Sequence, residues 1–293
     1  MVFSLFRLTG YAVDPLLDRA QVHQIVGEPA RFDRETPSDG RLTVVSWNIA
    51  QGARYEDVRD ALAALPADIY LLQEVDMGVR RSGYRSVAKD LADDLGLNWV
   101  FGGEFQEIGQ ARRNTPALTG QAVLSRYPIH GAFVLPFENQ ARLRWRLDPF
   151  QPRRGGRMAL RAESGGLLVY NAHIESAKDD AFRDKQVGEV LVDSRKSQRA
   201  GRPVVVAGDF NTAKVPANSP VLRSLVAEGF VDALGADGAP RRTSIHHDQP
   251  LDWIFVRHIA PERGRVIDVR RASDHFPLEA SMSMELSIRA AAH

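Results

Sequence analysis

The sequence predicts an α/β sandwich built from mixed β-sheets. Apolar runs of strand length outnumber the helical segments, and several of these runs are separated only by short turns. One such turn, Ser164-Gly165-Gly166, lies between candidate strands at 157–163 and 167–172, which is typical of a β-hairpin. A doubly wound parallel sheet would alternate strands with helices throughout, so mixed sheets are favoured.

The individual helices and strands follow from hydrophobic spacing. Helical spacing runs from Tyr55 to Leu65 and again from Tyr84 to Leu95, where Gly96 is a natural C-cap. Two further helices are predicted at 180–198 and 218–228. Strands are predicted at 42–49, 69–73, 98–101, 121–125, 132–135, 157–163, 167–172, 203–207, 251–256, 265–269 and 278–285.

The periodic pattern begins only at Arg41. Residues 1–40 lack sustained periodicity and end in a turn-rich connector, so we interpret them as an N-terminal extension that packs against the main domain. Residues 41–286 show no internal repeat and no second core, and they are predicted to form one domain. Residues 287–293 are a C-terminal tail.

Composition excludes several kinds of protein. The 293 residues are 44% apolar, which is enough to bury a core and argues against disorder. The absence of cysteine excludes disulfides, thiolate zinc sites and cysteine nucleophiles. A net charge of +1 gives no global attraction to nucleic acid or membranes. Arg7 interrupts the apolar N-terminus and no apolar run has the length of a membrane span, so a cytoplasmic protein is expected.

Polar side chains follow two of the buried strands. Glu74 follows an apolar strand that should hold its backbone rigidly, and a carboxylate there suits Mg²⁺ or Mn²⁺. Asp209 and Asn211 follow another strand and should point the same way, with Phe210 turned into the core. Such a pair can hold an attacking water and a phosphoryl oxygen. A solvated glutamate and a simple Asx turn are the ordinary alternatives.

Histidines and a buried aspartate complete the pattern. His275 stands next to Asp274, and an imidazole beside a carboxylate is the usual means of proton abstraction. Asp252 interrupts an apolar strand, where an unpaired carboxylate is costly, so a partner such as a histidine N–H is expected. His173 and Asn48 end two more strands. The convergence of these groups predicts metal-assisted attack on a phosphate ester.

Taken in order, these motifs resemble the endonuclease/exonuclease/phosphatase superfamily. The resemblance extends from about Arg41 to Met284. The superfamily includes deoxyribonuclease-type nucleases, neutral sphingomyelinases and phosphatases. The motifs that carry it are Trp47-Asn48, Gln73-Glu74, Leu124-Ser125-Arg126-Tyr127-Pro128, Asn171-Ala172-His173, Gly208-Asp209-Phe210-Asn211, Leu251-Asp252-Trp253 and Ser273-Asp274-His275. The resemblance implies a four-layer sandwich of two mixed β-sheets flanked by helices.

The resemblance also implies a metal site. Glu74 would bind a divalent metal, Mg²⁺ or Mn²⁺, with help from Asn48. Asp274 would contact the metal or position the site.

The same likeness implies roles for the remaining side chains. Asp209 and Asn211 would orient the nucleophilic water, and His173 would contact the phosphoryl group or the leaving oxygen. His275 would be the general base or a phosphate contact, with Asp252 fixing its tautomer. Whether Asp209 or His275 removes the water proton is left open by the motif.

An arginine-rich segment bears on the substrate. Residues 142–157 hold six arginines and one aspartate, and alternation places Arg142, Arg144 and Arg146 on one face, with Trp145 among the apolar residues opposite. Arginines grip phosphates and aromatic rings stack on bases, although a solvated loop or an anionic membrane surface would use the same residues. A nuclease is therefore favoured over a sphingomyelinase-like phospholipid phosphodiesterase or a small-molecule phosphatase. An inactive binding protein is disfavoured because no catalytic position of the family pattern has been lost.

Overall fold

The computed structural model describes residues 16–36, 40–112, 115–140, 153–176, 180–197, 201–212, 219–235, 241–248 and 250–283. The strands in these ranges are β1 (Ile25–Glu28), β2 (Arg41–Gln51), β3 (Ile69–Met77), β4 (Asn98–Glu107), β5 (Leu118–Ser125), β6 (Ile129–Pro136), β7 (Arg153–Gly155), β8 (Met158–Ser164), β9 (Leu167–His173), β10 (Val204–Asp209), β11 (Val231–Asp232), β12 (Asp252–Arg257), β13 (Ala260–Val266) and β14 (Leu278–Ser283). The helices are α1 (Arg19–Val22), α2 (Tyr55–Ala63), α3 (Val87–Leu95), α4 (Asp180–Lys196) and α5 (Pro220–Ala227).

The strands form two mixed sheets. The first sheet has the order β1-β4-β5-β3-β2-β14-β13, with β7 beside β4, and the second has the order β11-β12-β10-β9-β8-β6. Each sheet holds one parallel pair, β2 with β3 and β9 with β10, and a helix connects each pair. Parallel neighbours need such a crossover, and their carboxyl ends meet at one edge of the sheet.

The two sheets pack face to face between layers of helices. Leu71 and Val123 of the first sheet and Val169 and Val205 of the second share the central core. Helices α2 and α3 cover the outer face of the first sheet, whereas α4 and α5 cover that of the second. The predicted four-layer sandwich of two mixed β-sheets is therefore confirmed.

The hairpin predicted from the sequence forms as expected. Strands β8 and β9 pair with Ser164 opposite Leu167. Gly165 and Gly166 between them both have positive φ angles, 57° and 80°, as a tight hairpin turn requires.

Two exposed edge strands depart from the predicted pattern. The strand predicted at 265–269 is wrong in position, because β13 begins at Ala260 and ends at Val266. β1 lies within residues 1–40 and pairs with β4 at the edge of the first sheet, and all four of its residues are exposed. Edge strands with one or no buried face lack the apolar run that marks a central strand. The domain boundaries at 40 and 286 remain predictions.

No helix within the described ranges is long and apolar enough to cross a membrane.

A buried amide network joins the sheets at the irregularity in the middle of β3. Asn171 of β9 donates to the carbonyl oxygens of Leu72 and Ala122 at 2.8 and 2.9 Å, and it accepts from Gln73 at 2.7 Å. The pairing of β3 with β5 is irregular between Leu72 and Val75, so these bonds satisfy backbone groups that the ladder leaves open. The network fixes the backbone on which Glu74 stands.

Candidate active site

Three of the predicted site residues lie side by side in one row across the second sheet. Asp209 at the end of β10 is directly opposite His173 on the parallel strand β9 and Asp252 on the antiparallel strand β12. All three are at least 98% buried. Asn48 of the first sheet reaches this row, since its Nδ2 donates to Asp209 Oδ2 at 3.1 Å. Three strand ends of the second sheet and Asn48 of the first sheet thus meet at one carboxylate.

Gly208 makes the close approach of these strands possible. Its φ of 139° lies in the region that favours glycine. A Cβ at this position would collide with the backbone of Ala172 on β9. The glycine before Asp209 is therefore required for the registry that brings Asp209 beside His173.

Asp209 is held from two directions. The backbone N–H of Asn211 donates to Asp209 Oδ1 at 2.9 Å, in addition to the bond from Asn48. Burial raises the pKa of Asp209, but the charges of His275 and His173 outweigh it and hold the pKa below its ordinary value. Phe210 is fully buried, as the alternation predicted. Asn211 Nδ2 donates to the Ile174 carbonyl at 3.0 Å, which fixes the amide beside Asp209.

His275 and Asp252 form the pair that the sequence predicted. His275 Nδ1 lies 2.9 Å from Asp252 Oδ2 and 3.1 Å from Oδ1, so the Nδ1–H donates to the carboxylate. The other ring nitrogen, Nε2, lies 3.9 Å from Asp209 Oδ2. Burial lowers the pKa of His275, but the negative charges of Asp252 and Asp209 outweigh it and raise the pKa to about 10.

Backbone contacts fix the position of His275 as well. Trp47 Nε1 donates to the His275 carbonyl at 2.9 Å, and the His275 N–H donates to Ser273 Oγ at 3.1 Å. Ser273 Oγ in turn donates to the carbonyl oxygen of Asn48 at 2.7 Å. The loop that carries His275 is thereby tied to the end of β2.

His173 has a carboxylate partner that the sequence analysis missed. Its Nδ1 lies 3.3 Å from Glu104 Oε2, and its Nε2 lies 3.6 Å from Asp209 Oδ2. Glu104 is buried within β4, where all ten residues are buried. Glu104 follows Gly102-Gly103, beyond the strand predicted at 98–101, so it did not carry the pattern that identified Asp252, an acidic residue inside an apolar strand.

Arg157 was also missed and joins the same cluster. Its Nη1 donates to Glu104 Oε1 at 2.8 Å and lies 2.8 Å from both ring nitrogens of His173. Burial raises the pKa of Glu104, but the charges of His173 and Arg157 leave it below its ordinary value. Arg157 is thus a largely but not fully buried cation, 14% exposed, adjacent to the row of Asp209.

Glu74 occupies a strained position at the irregularity of β3. Its φ is 51°, an uncommon conformation for a residue other than glycine. Gln51 Nε2 donates to Glu74 Oε2, and Glu74 Oε1 lies 4.0 Å from His173 Nε2. Its side chain is 24% exposed. Backbone strain of this kind concentrates at functional sites, and here it directs a carboxylate toward the row of Asp209.

The available donor atoms suit a hard divalent cation. Glu74 of β3 and Asn48 of β2, on parallel strands, offer carboxylate and amide oxygens. Asn48 Oδ1 also accepts from the Ala50 N–H at 3.1 Å and keeps a second lone pair. Asp209, Asp252 and His275 also bring one ligand atom each within 4.8 Å of one another. Both oxygens of Asp252 already face His275 Nδ1, however. Glu74 and Asn48 therefore fit Mg²⁺ or Mn²⁺ better than that cluster.

Asp274 lies apart from the buried row, on the wall of an open cleft. Its side chain is 43% exposed, and Oδ2 lies 3.9 Å from His246 Nε2. The cleft has a volume of about 380 Å³. It is lined by Asn48, Ala50, Gln51, Ala53, Arg54, Glu74, Ile245, Arg270, Arg271, Ala272, Ser273, Asp274 and His275. Glu74, Asp274 and His275 thus open onto one solvent-accessible space.

The remaining predicted residues belong to the arginine-rich segment. Arg142, Arg144, Trp145 and Arg146 lie outside the described residues, and their role stays a prediction. The end of the segment is described, and β7 pairs with β4 through Arg153, Arg154 and Gly155.

Comparison with known proteins identifies the family of this chain. The model of the Endonuclease/Exonuclease/phosphatase family matches residues 45–275, which span every site residue from Asn48 to His275. The resemblance inferred from the sequence is therefore confirmed. The uncharacterized protein YbhP of Escherichia coli strain K12 is 27% identical over 246 residues, which cover 78% of this chain and 88% of that protein.

Solved structures share the fold at low sequence identity. The human Nocturnin catalytic domain with a bound sulfate anion has a TM-score of 0.61 and 19% identity, covering 90% of this chain and 97% of that one. An AP endonuclease from Archaeoglobus fulgidus has a TM-score of 0.59 and 16% identity, covering 82% of this chain and 98% of that one. These likenesses support the fold class.

Proposed function

The chain belongs to the endonuclease/exonuclease/phosphatase family of hydrolytic phosphoesterases, and we propose that it is a divalent-metal-dependent hydrolase of phosphodiester bonds, acting as a nuclease. The observation that supports this proposal most directly is the convergence on Asp209. Its Oδ2 lies 3.6 Å from His173 Nε2 and 3.9 Å from His275 Nε2. A carboxylate flanked by two imidazoles is suited to bind a water and a phosphoryl group together.

The proposed reaction assigns each side chain a task from its position. Asp209 lies between the two rings, so it orients the attacking water and accepts its proton. Asn211 holds the neighbouring phosphoryl oxygen, and His275 donates from Nε2 to the phosphoryl group because its Nδ1 is occupied by Asp252. His173 contacts the phosphoryl group or the leaving oxygen. Charge that develops on the oxygens is thereby stabilised by donors that are already in place.

Glu74 and Asn48 are the residues proposed to hold the metal, and Asp274 contributes at the edge of the cleft. When bound, a divalent cation polarises a phosphoryl oxygen and stabilises negative charge in the transition state. The strained backbone of Glu74 and its bond from Gln51 orient the carboxylate before any substrate arrives.

A nucleic acid substrate is favoured by two considerations. The Archaeoglobus fulgidus protein that shares this fold is named an AP endonuclease, and an endonuclease cleaves nucleic acid. The segment at 142–157 combines arginines with Trp145, a composition suited to phosphates and bases. Arg142, Arg144 and Arg146 with Trp145 are proposed as substrate contacts. Phospholipids and small phosphoesters are the competing substrates. The relative YbhP is uncharacterized and does not distinguish among these substrate classes.

Metal removal tests the proposed chemistry. We expect EDTA to abolish hydrolysis of a phosphodiester, and added Mg²⁺ or Mn²⁺ to restore it. The Glu74→Gln variant should bind the metal more weakly in calorimetry and should lose about a hundredfold or more in kcat, because the amide removes a charged ligand. The measurement is an initial-rate assay on a chromogenic diester, together with a metal titration.

Glu262→Gln is the matched control for this substitution. It makes the same chemical change on β13, where Glu262 pairs with Arg41 at 3.3 Å and does not line the cleft. This variant should keep both metal binding and activity. Undiminished turnover in EDTA would disprove the metal-dependent mechanism.

A further inference from the structure

One wall of the active-site cleft is formed by arginines that the reaction described above does not use. Arg54, Arg270 and Arg271 line the same cleft as Glu74 and His275, and we refer to these three arginines as the arginine wall. They come from two places in the chain, since Arg54 precedes α2 and the other two lie on the loop that leads to His275. Cations from separate elements that face one cleft indicate an anionic occupant.

The backbone under the arginine wall is fixed. The N–H of Ala272 donates to the carbonyl of Val269 at 2.9 Å, and Ala272 is 3% exposed in the core of the first sheet. Ile267 N–H donates to the Pro277 carbonyl at 2.9 Å, which closes the base of the loop. Arg270 and Arg271 therefore extend from a held backbone, at a position set relative to His275.

The charges of the arginine wall are only loosely compensated. Arg54 pairs with Asp57 at 2.6 Å and Arg270 pairs with Asp268 at 2.9 Å, but all four side chains are at least 42% exposed. Exposed pairs of this kind contribute little and exchange readily for a stronger anion. Arg271 has no acidic partner among the residues that the structure describes. The arginine wall is thus available to bind an anion.

The acidic groups of the cleft mark where the reacting phosphate lies. Glu74 and Asp274 line it, and Glu74 is near His173. A metal bound at Glu74 would hold the scissile phosphate on the side of the cleft that Glu74 and His173 form. An anion bound at the arginine wall would then be a different group of the substrate from the scissile phosphate. The cleft volume of 380 Å³ is at the lower end of small-ligand sites and fits a group of about the size of one nucleotide.

We propose that the arginine wall is a binding subsite for a second phosphate of the substrate, next to the scissile one, and that the substrate is therefore a nucleic acid strand. This inference rests on the proposed nuclease function and deepens it, because it names where a second phosphate of the strand is bound. The described surface gives no support to a lipid chain at this position. None of its exposed large apolar side chains, such as Phe133 or Leu16, lines the cleft.

The test compares substrates with one and with several phosphates. The double variant Arg270→Gln/Arg271→Gln and the wild type are assayed on a dinucleotide with a single phosphodiester and on a single-stranded pentanucleotide. We expect the ratio of kcat/KM for the pentanucleotide to that for the dinucleotide to fall about tenfold in the variant, mainly through KM. The dependence of pentanucleotide cleavage on salt should also weaken, because fewer phosphate contacts displace counterions.

The matched control is Arg223→Gln, which removes one exposed positive charge on α5, outside the cleft. This variant should keep the wild-type ratio. An unchanged ratio in the double variant, or an equal loss on both substrates, would overturn the subsite. Hydrolysis of micellar phospholipid without cleavage of either oligonucleotide would overturn the substrate class and leave the phosphodiesterase chemistry intact.

Binding separates this inference from the proposed reaction. Fluorescence anisotropy of a labelled pentanucleotide is measured in EDTA, where no cleavage is expected. Weaker binding by the double variant than by Arg223→Gln supports the subsite even if the wild type hydrolyses no phosphodiester with Mg²⁺ or Mn²⁺. Equal binding by the two variants contradicts the subsite.

Discussion

The site contains two histidines that each face Asp209 with Nε2 and a second carboxylate with Nδ1, yet their surroundings differ. Among the described residues, no second cationic side chain shares Asp252 with His275. Both carboxylate oxygens of Asp252 lie within 3.1 Å of His275 Nδ1. His173 shares Glu104 with Arg157, whose Nη1 is 2.8 Å from Oε1, whereas His173 Nδ1 is 3.3 Å from Oε2. One carboxylate orients a single ring, and the other is divided between a ring and a guanidinium.

This difference indicates that the two histidine–carboxylate pairs, similar in geometry, have different roles. Asp252 has His275 as its only described cationic partner, so the pair should act as a unit in catalysis. Glu104 contacts both His173 and the guanidinium of Arg157, which is 14% exposed, so the three side chains form one cluster. Loss of Asp252 should therefore affect the reaction more than loss of Glu104.

The largest effect is expected from the pair of Asp252 and His275. Asp252→Asn should lower kcat by about a thousandfold or more, because the amide favours the wrong tautomer or orientation of the ring. His275→Ala should cost a similar factor. The double variant should lose little more than either single variant, as expected of two residues that act together. Steady-state kinetics of all three variants measure this, and strictly additive losses would show independent roles.

A smaller effect is expected at Glu104. Glu104→Gln should lower kcat by about ten- to a hundredfold, because Arg157 stays beside His173 and keeps part of the arrangement. The matched control is Glu107→Gln, on the same strand and equally buried, which pairs with Arg81 and Arg153 and contacts no histidine. The control should lower the melting temperature with much less effect on kcat. If both variants lost the same activity, Glu104 would have no specific role toward His173.

The smallest effect is expected in the pH dependence of stability of the metal-free protein. The pKa of His275 is about 10 in the folded state against 6.5 when unfolded, so its pairing stabilises the fold fully below 6.5. This stabilisation is lost as the pH rises toward 10. The difference in unfolding free energy between the wild type and Asp252→Asn should therefore shrink over that range. Urea unfolding in EDTA at several pH values measures the difference, and a constant difference would argue against a charged His275.

The fold was predictable where one property, apolar periodicity, decides the structure. Central strands and amphipathic helices bury a face along their whole length, so β9, β10 and α3 follow their predicted ranges closely. β1 and β13 could not be found in this way. Their stability comes from hydrogen bonds to a neighbouring strand and not from a buried face of their own.

Some features of the candidate site could likewise be predicted from the sequence, and others could not. The need for a partner at Asp252 could be predicted, because a lone carboxylate in a buried strand is costly wherever the strand lies. The family resemblance named His275 as that partner, and the structure confirms the pair at 2.9 Å. Glu104 lies beyond the strand predicted at 98–101, and Arg157 was only one of six arginines in the segment 142–157. Neither role could be assigned from the sequence, because both depend on contacts between the two sheets.

By itself, the sequence determined the mixed-sheet sandwich, the order of the motifs and the family. These depend on local spacing and on residue types that can be read directly from the chain. Only the tertiary structure decided that Glu104 faces His173, that Asp209 lies between two rings, and that Arg54 shares a cleft with Arg270 and Arg271. The physical reason is that these relations are distances between residues far apart in the chain. They are set by sheet registry and by the packing of one sheet on the other.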